Sequence, residues 1–267
     1  MSFIIVEKPT EAVALVTLNR PERMNAMAFD VMVPLREELE AISNDNSVHV
    51  VILTGAGSGF CSGADLEDPG AIPNSDGLGL PSIARRSMGL LENVILTLRR
   101  LHQPVIAAVN GAAIGGGFCL SLATDIRVAS TPAYFRAAGI NNGLTASELG
   151  LSYLLPRVIG QGRAAEIMLT GRDVSAEHAL DIGLVSDVVA PEQLLERCLE
   201  IAETICGFSH AGVQMTKRSL WTSLDAGSFE SHMEAEGVAQ LFMRLTTQNF
   251  EEAIRARRDK RPPNFEA

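Results

Sequence analysis

Pro104-Val105-Ile106-Ala107-Ala108-Val109-Asn110-Gly111-Ala112-Ala113-Ile114-Gly115-Gly116-Gly117-Phe118 is the stretch on which the fold turns. Its apolar, β-branched opening has the pattern of a buried strand, and Asn110-Gly111 is a turn dipeptide. The three glycines then open a helix with no side chain covering its first backbone N–H groups. A bare helix start presents those donors to negative charge. No Lys or Ser/Thr follows at the spacing of a phosphate-cradling loop, so an oxyanion fits better than a phosphate. Glycine triplets also allow a helix to pack closely on a strand, and this segment taken alone leaves both readings open.

Working outward, Val48-His49-Val50-Val51-Ile52-Leu53 reads as another strand, leading into Thr54-Gly55-Ala56-Gly57-Ser58-Gly59-Phe60-Cys61-Ser62-Gly63-Ala64-Asp65-Leu66. Residues 13–18 predict a strand. Residues 29–42 predict an amphipathic helix with Leu35, Leu39 and Ile42 on one face. The stretch 69–81 is rich in Gly, Pro, Asn, Ser and Asp and reads as a mobile flap, followed by a helix over 83–101. Strand–strand–helix units therefore recur. From about Phe208 the pattern is helical throughout, over 213–224, 229–245 and 248–258, which divides the chain into a core of residues 1–207 and a helical region of residues 208–267.

With 267 residues, 46% hydrophobic and 20% charged, the chain can bury a substantial core. A net charge of −10 leaves no basic surplus for nucleic acid or an anionic membrane. The one basic cluster, Arg255, Arg257, Arg258, Lys260 and Arg261, suits either a solvated helix C-terminus or a phosphate-rich ligand. Cys61, Cys119, Cys198 and Cys206 have neither metal-ligand nor disulfide-scaffold spacing, and the five histidines form no ligand pair, so no metal site is expected. The start, Phe3-Ile4-Ile5-Val6, lacks the layout of a signal peptide, and no apolar run is long enough to span a membrane. A cytoplasmic protein is expected.

The two glycine-rich segments, together with Thr17-Leu18-Asn19-Arg20-Pro21-Glu22-Arg23-Met24-Asn25-Ala26, resemble the crotonase, or enoyl-CoA hydratase/isomerase, superfamily. The likeness extends through Leu169-Thr170-Gly171-Arg172, Ala179-Leu180-Asp181-Ile182-Gly183-Leu184-Val185 and Asn264-Phe265. It implies an α/β fold, a spiral of repeated ββα units, with C-terminal helices packing subunits into a homotrimer or a dimer of trimers. It also implies an acyl-CoA substrate, with coenzyme A present only as part of that substrate and no separate cofactor. Matching motifs places the backbone N–H donors of an oxyanion hole at Ala64 and Gly116, where they would stabilise an enolate formed from the thioester. The coenzyme would lie along Arg23, Asn25, Ala26, Ala64, Asp65 and Leu66, with Lys260 reaching a phosphate. Asp65 also reads as the cap of a turn.

Proton handling departs from the family pattern. The two glutamates of its typical hydratases fall here on Cys119 and Gly139, neither of which is a carboxylate. Cys119, on an apolar segment with Leu120 and Leu122, reads as a small buried hydrophobe, with a reactive thiol as the minority option. One acid remains. Glu148, in Gly143-Leu144-Thr145-Ala146-Ser147-Glu148-Leu149-Gly150, matches to within one residue the acid that transfers protons in family members that move double bonds. A carboxylate in an apolar pocket has its pKa pushed up, towards use as an acid and base. Its structural alternative is a favourable charge at a helix start. Arg136, Asn141 and Asn142 read as solvent-facing loop residues. Where the family has Lys after Ala-Asp-Leu, this chain has Glu67.

These observations point to an enzyme that forms an oxyanion-stabilised enolate, with Glu148 as its single acid/base. Two other readings stay open: an acyl-CoA carrier without turnover, and a thioester hydrolase. The hydrolase reading is the weaker, because Gly59-Phe60-Cys61-Ser62-Gly63 lacks the Gly-x-Ser-x-Gly order of a nucleophile elbow.

Overall fold

Alternating residues of the central strands feed two different cores, and this decides the layering. The structure, a computed structural model, describes residues 2–266. A six-stranded sheet runs in the order β1 (Ile4–Thr10), β2 (Val13–Leu18), β3 (Val50–Gly55), β5 (Val105–Val109), β7 (Ile126–Ser130) and β10 (Asp187–Val189). Only the β1–β2 pair is antiparallel. Every residue of β3 and β5 is buried. Val51, Leu53, Ala107 and Val109 enter the larger core, whereas Val50, Ile52, Ile106 and Ala108 meet Leu194, Cys198 and Ala202 of helix α7 (Leu194–Cys206). Parallel strands covered on both faces read as continuous apolar runs, as these do.

A second sheet of four short strands, β4 (Gly59–Cys61), β6 (Ala112–Ile114), β8 (Tyr134–Arg136) and β9 (Val174–Ser175), takes one strand from each repeat. The pairs β3/β4, β5/β6 and β7/β8 split between the sheets. After each pair the chain continues into helix: α2 (Leu80–Arg100), α3 (Gly116–Leu122), and then α4 (Leu151–Ile159) with α5 (Gln161–Thr170). This is the spiral of ββα units. Helix α1 (Phe29–Ser43) packs on α2, burying Val31, Leu35 and Leu39 beside Val94 and Leu98. Helix α6 (Ala176–Asp181) follows β9 and is capped by the Ser175 side chain.

The C-terminal helices are α8 (His210–Ser223), α9 (Phe229–Thr246) and α10 (Asn249–Asp259). A buried ion pair ties α8 to the core: Lys217 Nζ lies 2.8 Å from Asp125 Oδ2 and donates to the Gln103 carbonyl at 2.7 Å. Trp221 donates to the other Asp125 oxygen at 2.6 Å. Helix α9 buries nothing and leaves Phe229, Leu241, Phe242 and Leu245 exposed. Among the described residues no helix is long and apolar enough to cross a membrane.

Element boundaries shift from the sequence pattern for local reasons. Helix α2 starts at Leu80 rather than 83 because Pro81, with its fixed φ, suits the first turn. Helix α8 starts at His210 rather than 213 because the Ser209 side chain accepts from the Gly212 N–H. The strand expected over 48–53 runs Val50–Gly55, with Val48 retained in the core. The 69–81 stretch is irregular up to Gly79 and mostly exposed.

Candidate active site

Three segments converge where β4 and β6 end. Met27 forms a parallel bridge with Ala64: its N–H donates to the Gly63 carbonyl at 2.7 Å, and its carbonyl accepts from Asp65 N–H at 3.1 Å. In a parallel bridge the residue between those partners directs its own N–H the opposite way. The Ala64 N–H accordingly has no acceptor among the described residues, and neither has that of Gly116, the first residue of α3. A Cβ built on Gly63 would lie 3.4 Å from the Gly116 nitrogen and 2.6 Å from the Ile114 carbonyl, so the two loops touch backbone to backbone.

Close approach or backbone conformation favours glycine at each triplet position. A Cβ at Gly117 would fall 2.0 Å from the Cys61 carbonyl oxygen, and one at Gly116 would fall 2.2 Å from Met27 Sδ. Gly115 has φ +52°, and its missing Cβ would stand 3.2 Å from Glu148 Oε1. The Glu148 carboxylate therefore lies against the Gly115 α-carbon, one residue from the Gly116 N–H. Both readings of the triplet hold at once, tight packing and bare donors.

Glu148 stands before α4 rather than within it, since that helix begins at Leu151 with Gly150 as its N-cap. The helix-start alternative is corrected accordingly. Leu149 at φ +43° and Gly150 at φ +86° turn the chain sharply after Glu148, and a left-handed Leu is strained. Two donors hold the Glu148 carbonyl: Leu151 N–H at 2.8 Å and the Cys119 thiol at 3.4 Å. Oε1 of its carboxylate is buried with no hydrogen-bond partner among the described residues. Burial without a donor holds its pKa above the ordinary carboxylate value.

The two positions without family glutamates have physical explanations. Cys119 is fully buried, and burial, reinforced by the nearby Glu148 carboxylate, raises its pKa well above the usual thiol value. Burial and that direction disfavour the thiolate, which is the nucleophilic form. At Gly139 a Cβ would fall 2.0 Å from the Thr145 carbonyl oxygen, so the backbone of the acid's own loop fills the space a side chain would need. Asn141 and Asn142 are exposed, and Arg136 pairs with Asp173 at the surface.

From Ala64 an open cleft of about 310 Å³ runs outward past Glu22, Arg23, Met24, Ala26, Ser62, Asp65, Leu66 and Glu67. Asp65 is the structural hub of its rim. Its carboxylate accepts from the N–H groups of Glu67 and Asp68, the turn cap read from sequence, and pairs with Arg20 at 3.0 Å and Arg23 at 2.6 Å. Those contacts hold its pKa far below the ordinary carboxylate range. Asn25, at φ +54°, is fully buried, its side chain bonded to Arg20 N–H and to the carbonyls of Ala56 and Gly59. It shapes the cleft without facing it. Lys260 is exposed at the C-cap of α10, and no cleft-lining residue comes from that helix. The pairing of Arg23 with Asp65 and Glu67 was not legible in the sequence, although Glu67 in place of Lys was its one visible sign.

The enoyl-CoA hydratase/isomerase family model matches residues 8–267. The chain is 66% identical over 265 residues to a protein of Mycobacterium tuberculosis named probable enoyl-CoA hydratase EchA12, covering 99% of this chain and 93% of that one. A solved structure of a probable enoyl-CoA hydratase/isomerase from Mycobacterium abscessus superposes with a TM-score of 0.96 at 65% identity, covering 100% of this chain and 99% of the other. A structure titled as a monofunctional enoyl-CoA isomerase from M. smegmatis gives a TM-score of 0.75 at 60% identity, covering 87% of this chain and 99% of the other.

Proposed function

The chain belongs to the enoyl-CoA hydratase/isomerase family, and from that premise we propose that it moves the double bond of an enoyl-CoA, with Glu148 as its only proton carrier. The single observation behind this reading is the unpartnered, buried Glu148 Oε1 beside Gly115, with no room at Gly139 for a second acid. Ala64 and Gly116 N–H groups receive the thioester oxygen. As Glu148 takes a proton from Cα, negative charge moves onto that oxygen, and the two preorganised donors stabilise it. The protonated Glu148 then returns the proton at Cγ, and the double bond comes to lie between Cα and Cβ. Atoms balance with one carboxylate and no water.

Hydration asks more of the site, since one group must both activate water and deliver a proton to Cα. The 60% identity to a protein titled as a monofunctional isomerase supports the proton-shuttle reading. The same proposal takes coenzyme A as part of the substrate, with no further cofactor, bound along the cleft that opens at Ala64. It divides the chain into a catalytic spiral of residues 1–207 and an assembly region of residues 208–267. The exposed apolar residues of α9 support a homotrimer or a pair of trimers, and four free cysteines suit the cytoplasm.

Ultraviolet absorbance of the conjugated enoyl thioester tests the reaction directly, with 2-enoyl-CoA and 3-enoyl-CoA substrates of several chain lengths. The expected result is a gain of absorbance from 3-enoyl substrates. Loss of absorbance from 2-enoyl substrates alone would make the protein a hydratase, and silence with binding intact would make it a carrier.

A further inference from the structure

Arg23 is the one cation among the described residues lining the cleft, where it stands against Glu22, Asp65 and Glu67. Coenzyme A carries several phosphate charges, so an anionic ligand enters a rim of its own sign. The two partners of Arg23 are unlike. Asp65 is buried, only 2% exposed, and also holds Arg20, so its pairing belongs to the frame of the loop. Glu67 is 80% exposed and touches only the outer Nη1 of Arg23, at 2.5 Å. Removing Glu67 would leave Arg23 anchored through Nε and Nη2 on Asp65, at 3.2 and 2.6 Å.

We propose that Glu67 is an internal competitor for the Arg23 guanidinium, occupying the edge that a phosphate of the bound coenzyme takes, and so sets the affinity for the CoA portion of the substrate. This rests on the reading that the cleft opening at Ala64 holds the coenzyme. An exposed ion pair is worth little, so the ligand can displace Glu67 at small cost. Arg presents a planar fork that suits phosphate as well as carboxylate, which makes the exchange one of like geometry.

The test is calorimetric titration of the full-length protein with coenzyme A, and separately with pantetheine, which lacks the phosphates. Glu67→Gln is expected to tighten coenzyme A binding by about 2- to 5-fold, the span of an exposed ion pair. The gain should shrink as salt is raised, and pantetheine affinity should stay unchanged. Glu192→Gln makes the same change of net charge on the exposed turn before α7 and should bind coenzyme A as the wild type does. Unchanged coenzyme A affinity in Glu67→Gln would overturn the proposal. Equal tightening towards pantetheine, or in Glu192→Gln, would also overturn it, as a steric or bulk-charge effect. Because the readout is binding, absence of isomerisation would count against Glu148 chemistry and leave this result standing.

Discussion

In the proposed site the oxyanion half is main chain held from every side, whereas the proton-transfer half is one side chain on a turn. Ala64 is set by its bridge to Met27, and Gly116 packs so closely on Met27 that a Cβ would displace its Sδ. Glu148 relies on a strained Leu149 and two hydrogen bonds to its carbonyl, and its buried Oε1 meets no donor among the described residues. The first half is insensitive to side-chain identity and intolerant of added volume. The second accepts any isosteric side chain but depends on its ionisation. The two should therefore break in different ways.

The largest effect is expected at the second half. Glu148→Gln keeps the shape and removes the base, so turnover of 3-enoyl-CoA should fall by about 10²–10⁴-fold, with coenzyme A affinity retained in the same preparation. Weakened binding of similar size would merge the two halves. In the first half, Gly117→Ala sets a Cβ 2.0 Å from the Cys61 carbonyl. Overpacking against backbone should cost about 3 kcal/mol, read as a lowered midpoint in urea; an unchanged midpoint would mean that this contact yields freely.

A subtler separation comes from pH. Raised by burial, Glu148 must lose its proton to act as base, so kcat/KM should fall as pH drops through a value above the ordinary carboxylate range. The stability linkage has the opposite sense. The folded state binds this proton more tightly than the unfolded chain, so stability from this group falls as pH rises through that window. Glu148→Gln should consequently raise Tm at neutral pH while lowering turnover. A lowered Tm would show that the carboxylate is stabilising where it stands.

The smallest expected effect lies far from the chemistry. His210, stacked on His49 at 4.1 Å and 6.0 Å from His102, has its pKa lowered to about 4 by burial and by those two rings. A folded pKa below the unfolded one means stability that is lost as pH falls from the ordinary 6.5 towards about 4. Thermal melts of His210→Gln across that range should show a shallower pH dependence than wild type. Identical slopes would exclude His210 as the acid-sensitive contact of α8.

Glycine explains why one half was easier to read than the other. A run such as Gly115-Gly116-Gly117 has few physical uses, and the strand pattern of residues 105–109 before it marked it as the turn into a helix. The complete burial of β3 and β5 was equally accessible, as two apolar runs. Glu148 could be matched only through loop spacing, and the turn at Leu149 has no sequence mark because leucine seldom adopts positive φ. Gly139 showed the loss of an acid but not its cause, since the clash comes from Thr145, six residues on. Pairings across distant loops, such as Arg23 with Asp65 and Glu67 or Lys217 with Asp125, exist only after folding.

The most direct test of the one-carboxylate shuttle is a single turnover of 3-enoyl-CoA in D2O, with deuterium at the product Cγ measured by mass spectrometry. A proton carried from Cα to Cγ by a half-buried Glu148 predicts that a substantial fraction of product carries no deuterium at Cγ. One deuterium at Cγ in every product molecule would contradict it, because the returning proton would then have come from solvent or a second group.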